Sequence, residues 1–459
     1  MNNYIGLKDV ILIVLYFVVI LFVGFLFSRK IKAEIRGYFR KALLLKLLCG
    51  LSFAWVYAYY YGGGDTQMYF NGASSFYKAF ISGHVGLSGL SDPDLLLGGS
   101  KTTIFTKQVT SIINLFSFNS FWSCTLLFAA LSLIGLWLLF ISFYRLFPTL
   151  HKQLAIVTLF IPGVVFWSSG IMKDTLCVLF IGVIVWTVQN LFSLNRKKII
   201  TFFLLLLSFY VIINLKAYIA LVLLVSLALY TLLAIRSNIK NVIFRIMVVP
   251  FATVVIFSVA FFFINEIGEY LQRFSLENIA ETAQTYQEYH SRISVAGRGS
   301  ENRTGSAYSL GDINFSSPAS VASKVPQAIN VTYFRPYVWE VKNPVMLLSA
   351  LESFLILLFT LKVLFKTGIF KFIRHIFFDK EIIFCMAFAM MFGFAVGFTS
   401  YNFGSLVRYK APCVPFYLIA LVLINALPKK KQVAELKYVV SQSSTLPTKE
   451  PQPFLMKNL

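Results

Sequence analysis

Acidic and metal-binding residues are scarce in this 459-residue chain, which has 19 Asp and Glu, four His and five Cys, with only 13% of positions charged. Soluble globular chains carry about 25% charged residues, so the composition excludes an ordinary soluble enzyme. The five cysteines (Cys49, Cys124, Cys177, Cys385 and Cys413) all fall inside or at the ends of apolar segments. There they neither frame a disulfide scaffold nor take metal-ligand spacing. With the histidines scattered as well, no zinc, haem or other cofactor is expected. An internal repeat is also lacking, which weakens the case for a transporter built from inverted halves.

Apolar residues make up 58% of the chain and aromatic residues 17%. Lys and Arg number 41, for a net charge of +22. In isolation such a charge suggests a nucleic-acid binder, but runs of about 20 apolar residues demand a bilayer first. The basic excess then reads as membrane topology, and no nucleic-acid partner is expected.

Runs long enough to cross about 30 Å of hydrocarbon number eleven: 10–27, 42–61, 118–144, 154–172, 175–194, 199–215, 218–235, 246–264, 345–365, 382–398 and 412–427. The first reads as a retained helix rather than a signal peptide, because no small-residue cleavage site follows it and Arg29-Lys30 closes it. The expected fold is an all-α, polytopic integral membrane protein with about 11 transmembrane helices over residues 1–430. Alternate connections hold 21 Lys and Arg on one side against eight in the short segments of the other. Basic loops stay cytoplasmic, so the N-terminus is expected outside and the C-terminus inside. Two outer loops are long. The first, 62–117, carries Tyr69, Phe70, Phe76, Tyr77 and Phe80 and suits a helix lying in the interface. The second, 265–343, is polar and of mixed charge and includes three Asn-x-Ser/Thr triplets, at Asn302, Asn314 and Asn330. The tail, 431–459, reads as a disordered cytoplasmic segment.

On this topology the chemically interesting residues collect on the outer side. They are Asp65, the Lys173-Asp174 pair, Lys216, Arg335, and Arg408 with Lys410. Each has a plainer reading. Asp65 and Asp174 are suited to cap helices, and Arg408 and Lys410 to anchor lipid phosphate. Their shared side favours a site. Carboxylates with guanidinium and ammonium groups, in the absence of metal ligands, fit the transfer of a sugar from a polyprenyl phosphate or pyrophosphate. A carboxylate takes the acceptor proton, while Arg and Lys stabilise the departing phosphate. Tyr69, Trp167, Tyr218 and Trp339 are candidates for stacking on sugar or isoprenoid, although interfacial aromatic belts are common. Glu352 lies about 10 Å deep in its span at 1.5 Å per residue, where a carboxylate is costly unless paired or protonated. Arg335 and Lys216 are its expected partners, and together they would shape the floor of the site.

The stretch Gly-Gly-Gly-Asp65-Thr-Gln-Met-Tyr69 and the late Arg408-Tyr-Lys-Ala-Pro412-Cys-Val-Pro415 resemble bacterial exopolysaccharide or O-antigen polymerase-type membrane proteins of the EpsG and Wzy kind. More loosely, the chain is similar to the wider class of multispan glycosyltransferases with lipid-linked donors. In that class an acidic pair usually follows the first span, whereas here Asp65 stands alone after the second, and Asp174 remains the other candidate base. By resemblance to O-antigen ligases, His290 with Arg292 and Arg298 would form a basic site in the large loop. The resemblance implies a lipid-linked sugar donor, a glycan acceptor and a bacterial cytoplasmic membrane. Asp65, Asp174 and Arg408 would then be catalytic, while Lys173, Lys216, Arg335, Tyr69, Lys410 and Glu352 would bind substrate. Two alternatives from other classes are a flippase-like lipid or glycan transporter without covalent chemistry and a non-enzymatic subunit of an envelope export complex.

Overall fold

The computed structural model of the chain describes residues 5–191, 198–236, 308–311, 313, 317–342 and 344–427. Most of these residues are helical, and none of them forms a strand. Seven of their helices are long and apolar enough to cross a membrane, and a bent pair makes an eighth, so the protein is a polytopic helical membrane protein. The expected run 246–264, the His290, Arg292 and Arg298 group, Asn302, Asn314 and the tail after residue 430 lie outside the described residues.

Helix α1 (Leu7–Ser28) is apolar on every side and largely exposed along its length, as a lipid-facing helix should be. The basic turn after it leads into α2 (Ala33–Trp55), which widens into a π-turn at Val56–Tyr60. Gly62, Gly63 and Gly64 then all take positive φ, at 66°, 141° and 124°, a conformation only glycine adopts at little cost. The reversal they make starts α3 (Asp65–Ile81). α3 buries Tyr69, Phe70 and Phe76 and pairs with α4 (Lys101–Phe116). An aromatic face that suits headgroups suits a neighbouring helix equally well.

The centre is built by α5 (Phe121–Leu146) and α8 (Lys173–Leu191). Gly135 and Gly182 face each other so closely that a Cβ on Gly182 would strike the Gly135 backbone carbonyl. Without a hydrophobic driving force inside lipid, such small-residue contacts are what let helices associate. Gly182→Ala is expected to force α5 from α8 and cost about 1–3 kcal/mol, visible as a lower melting temperature in neutral detergent. An unchanged melting temperature would contradict the contact.

One expected span is split, and two others meet at a kink. The run 154–172 is split into α6 (His151–Leu159) and α7 (Pro162–Trp167), because Pro162 supplies no N–H and opens a new helix. The runs 199–215 and 218–235 join into α9 (Lys198–Arg236), whose single non-helical residue is Lys216, at φ −153° and ψ 83°. α9 is two helices meeting at a kink, and the kink falls in the connection expected between the two runs. After α10 (Pro318–Ser323), α11 (Val325–Phe334), α12 (Pro344–Thr367), α13 (Ile369–Phe378) and α14 (Lys380–Thr399), the chain ends in α15 (Phe403–Tyr409) and α16 (Val414–Leu427), which meet at 64°. Asn402 caps α15, its side-chain oxygen accepting from the Gly404 and Ser405 amides at 2.7 and 3.4 Å.

Candidate functional site

Four of the charged residues singled out from sequence form one row of alternating sign. Asp65, the first residue of α3, places Oδ2 3.0 Å from Nη1 of Arg408 in the last turn of α15. Nε of Arg408 lies 3.6 Å from Oδ2 of Asp174 in the first turn of α8. The other oxygen of Asp174 accepts from Nζ of Lys216 at 2.5 Å. Lys216 is the break in α9, so the interruption of one helix delivers a cation to the start of another. Lys216 also sits 4.4 Å above the Tyr409 ring, and Arg408 Nη2 donates to the Tyr409 hydroxyl at 2.9 Å.

Exposure grades along this row. The Asp65 side chain is 44% exposed, that of Arg408 13%, of Lys216 12% and of Asp174 3%. Asp174 therefore anchors, its two oxygens facing two cations, while Asp65 is the acid that meets the outside. Nε of Arg408 is buried and has no hydrogen-bond acceptor in reach among the described residues. Lys173 lies beside the row, donating to Oγ1 of Thr102 at 2.7 Å and standing 5.8 Å from the Tyr69 ring. Burial raises the Tyr69 phenol above its ordinary value, and the negative charge of Asp65 adds to this, so at neutral pH it is a protonated phenol. Three cations against two carboxylates give the cluster one net positive charge.

Asp65 and Arg408 line a cavity of about 770 Å³, within the range of small-molecule sites. Its walls come from the π-turn and glycine loop after α2, from Trp167 at the end of α7, from Met346 and Ser349 on α12, and from α15. The tyrosines of its wall, Tyr57, Tyr60 and Tyr61, follow directly from the rotation the π-turn imposes. Tyr57 also stacks on Phe53, with ring centres 4.5 Å apart. These tyrosines and Tyr409 were missed in the sequence, where they look like any interfacial belt. The one available signal was their position immediately before three glycines and an Asp.

The other expected site residues lie elsewhere. Arg335 pairs with Glu340 rather than Glu352, its Nε 3.1 Å from both carboxylate oxygens, and faces the Phe403 ring at 5.3 Å. Burial opposes ionisation of Glu340, but Arg335 and the Tyr337 amide outweigh it and hold the carboxyl below its ordinary value. Glu352 accepts from the Gly163 amide at 2.5 Å. Lys216, its other expected partner, belongs to Asp174. Lys410 is buried, with its amine 3.1 Å from the Ser353 hydroxyl. These groups tie α7, α12 and the α15–α16 bend together behind the cavity. Two positions past Arg408, a little over half a turn of helix, carry Lys410 to the far side. Lys46, passed over in the sequence, does similar work from α2, donating to the Val165 carbonyl at 2.9 Å and to Ser168 Oγ at 2.6 Å. Of the aromatic candidates, Trp167 lines the cavity, whereas Trp339 is exposed and stacks on Tyr337.

Among the described residues no three of His, Cys, Asp and Glu gather as a metal site would need. Comparison with protein-family models, with curated proteins and with solved structures finds no match to this chain.

Proposed function

We propose that the chain is a membrane glycosyltransferase or polysaccharide polymerase that moves a sugar from a polyprenyl phosphate or diphosphate carrier to a glycan acceptor at the outer face of a bacterial cytoplasmic membrane. The observation that carries this reading is the pairing of Asp65 with Arg408 on one cavity wall, although 343 positions separate them in sequence. In the proposed reaction the acceptor oxygen bonds to the anomeric carbon as that carbon's bond to the phosphate oxygen breaks. The phosphate leaves with the electron pair, and the acceptor proton passes to Asp65. Arg408, with Lys173 beyond it, stabilises the charge that gathers on the leaving group. Asp174 and Lys216 hold the guanidinium in register, and the tyrosine wall packs against sugar or isoprenoid.

Asp65→Asn keeps the shape and removes the base. It is expected to lower formation of glycan product from a polyprenyl-diphosphate-linked sugar by a hundredfold or more, on the order of a general base's contribution, at normal protein abundance. Product formed at the wild-type rate would remove the proposal.

A transporter reading has one observation in its favour. Interrupted helices commonly build the binding sites of transporters, and here α9, the α6–α7 pair and the α15–α16 pair are all interrupted. Translocation of a labelled lipid-linked sugar in vesicles without covalent change, and unaffected by Asp65→Asn, would favour it.

A further inference from the structure

Helix α13, IFKFIRHIFF, has no buried residue in its ten positions, although it joins two membrane helices. It is tied closely at both ends. Gly368, at φ 78°, is the only residue between it and α12, and Asp379 is the only one between it and α14. At 1.5 Å per residue it is about 15 Å long, so it lies at the level where the two spans end.

At 100° per residue its side chains form three arcs. Phe372 and Ile376 lean on the helical core. Ile369, Phe370, Ile373 and Phe377 form a second arc that is exposed, Phe370 to 86%. Lys371, Arg374 and His375 form the third, with the exposed Phe378 between the two longer cations. His375 is engaged by Asp379 at 2.8 Å, Glu381 stands 3.8 Å from Lys380, and Lys366 donates to Asn425. Lys371 and Arg374 are exposed and make no hydrogen bond or ion pair with any described residue.

We propose that α13 lies in the membrane surface and binds anionic lipid headgroups through Lys371 and Arg374, with its second arc inserted among the acyl chains. The order of the arcs selects this occupant. An apolar arc held at the depth of the span ends meets hydrocarbon, and the adjoining basic arc meets the headgroup layer, the arrangement that binds amphipathic helices to anionic membranes. A soluble protein would have to enter the lipid to reach Phe370. The local acids, Asp379 and Glu381, are already paired, so the two free cations present their charge outward.

The test reconstitutes the full-length protein in phosphatidylcholine vesicles holding a photoactivatable phosphatidylglycerol and maps crosslinks to the peptide spanning 369–378. Labelling is expected, suppressed by unlabelled phosphatidylglycerol but not by added phosphatidylcholine or inorganic phosphate. K371Q/R374Q is expected to need about thirtyfold more probe for equal labelling, near fivefold per charge. Equal labelling of the double variant, or equal competition by phosphatidylcholine, would reduce the face to a plain hydrophobic contact and overturn the proposal. Competition by inorganic phosphate would make it a soluble-anion site. Crosslinking of α13 to another protein in native membranes, without lipid labelling, would assign the face to that partner instead.

Discussion

Arg408→Ala is expected to lower turnover of the lipid-linked sugar by about a thousandfold, the upper range for a single donor at a charge-developing centre. The guanidinium reaches Asp65 at 3.0 Å, approaches Asp174 at 3.6 Å and donates to Tyr409 at 2.9 Å. Among the described residues no other side chain makes an ion pair with both acids. Arg408→Lys separates charge from geometry. An ammonium retains the positive charge but offers no planar fork, so it keeps one acid and releases the other. Near-normal abundance and melting temperature with most of the activity lost is the expected outcome for Lys, and a loss of both for Ala. If Arg408→Lys works as well as wild type, the bridging geometry has no part in turnover. The Asp65 contact itself contributes little stability, because that carboxylate is 44% exposed and water screens such pairs.

Lys216→Met is expected to have the largest effect on stability. Asp174 is 3% exposed and its closest cation is Lys216 at 2.5 Å, so removing the ammonium leaves a buried carboxylate facing Arg408 alone. Breaking a buried pair from one side costs about 3–5 kcal/mol, enough to remove most folded protein from the membrane. Lys216→Met with Asp174→Asn removes both charges and is expected to recover most of that loss, because the strongest penalty belongs to the unpaired ion. Turnover is expected to stay low in the double variant, since Arg408 loses the acid that orients it from behind. Melting temperatures of the two single variants and the double variant in one detergent read the coupling. Additive losses would show that Asp174 and Lys216 do not depend on each other.

The row of charges was partly visible in sequence because charge is rare here. In a chain with 19 acidic residues, an Asp or Lys at the end of an apolar run stands out, and the outer-side grouping named Asp65, Asp174, Lys216 and Arg408 together. Pairing was not visible. Glu352 was expected beside Arg335 or Lys216, but Glu340 lies five residues from Arg335 and captures it, while Asp174 takes Lys216. Lys410 was grouped with Arg408, two positions before it, yet on a helix that spacing puts side chains on different faces.

The sequence by itself determined that this is an all-helical membrane protein, because about 20 consecutive apolar residues leave the backbone no way to satisfy its polar groups in lipid except within a helix. It also showed which charged residues stand at the ends of apolar runs. Only the tertiary structure decided which glycines let α5 touch α8 and which acid meets which base. These depend on distances between side chains on different segments, and hydropathy, which sums along the chain, carries no information about them.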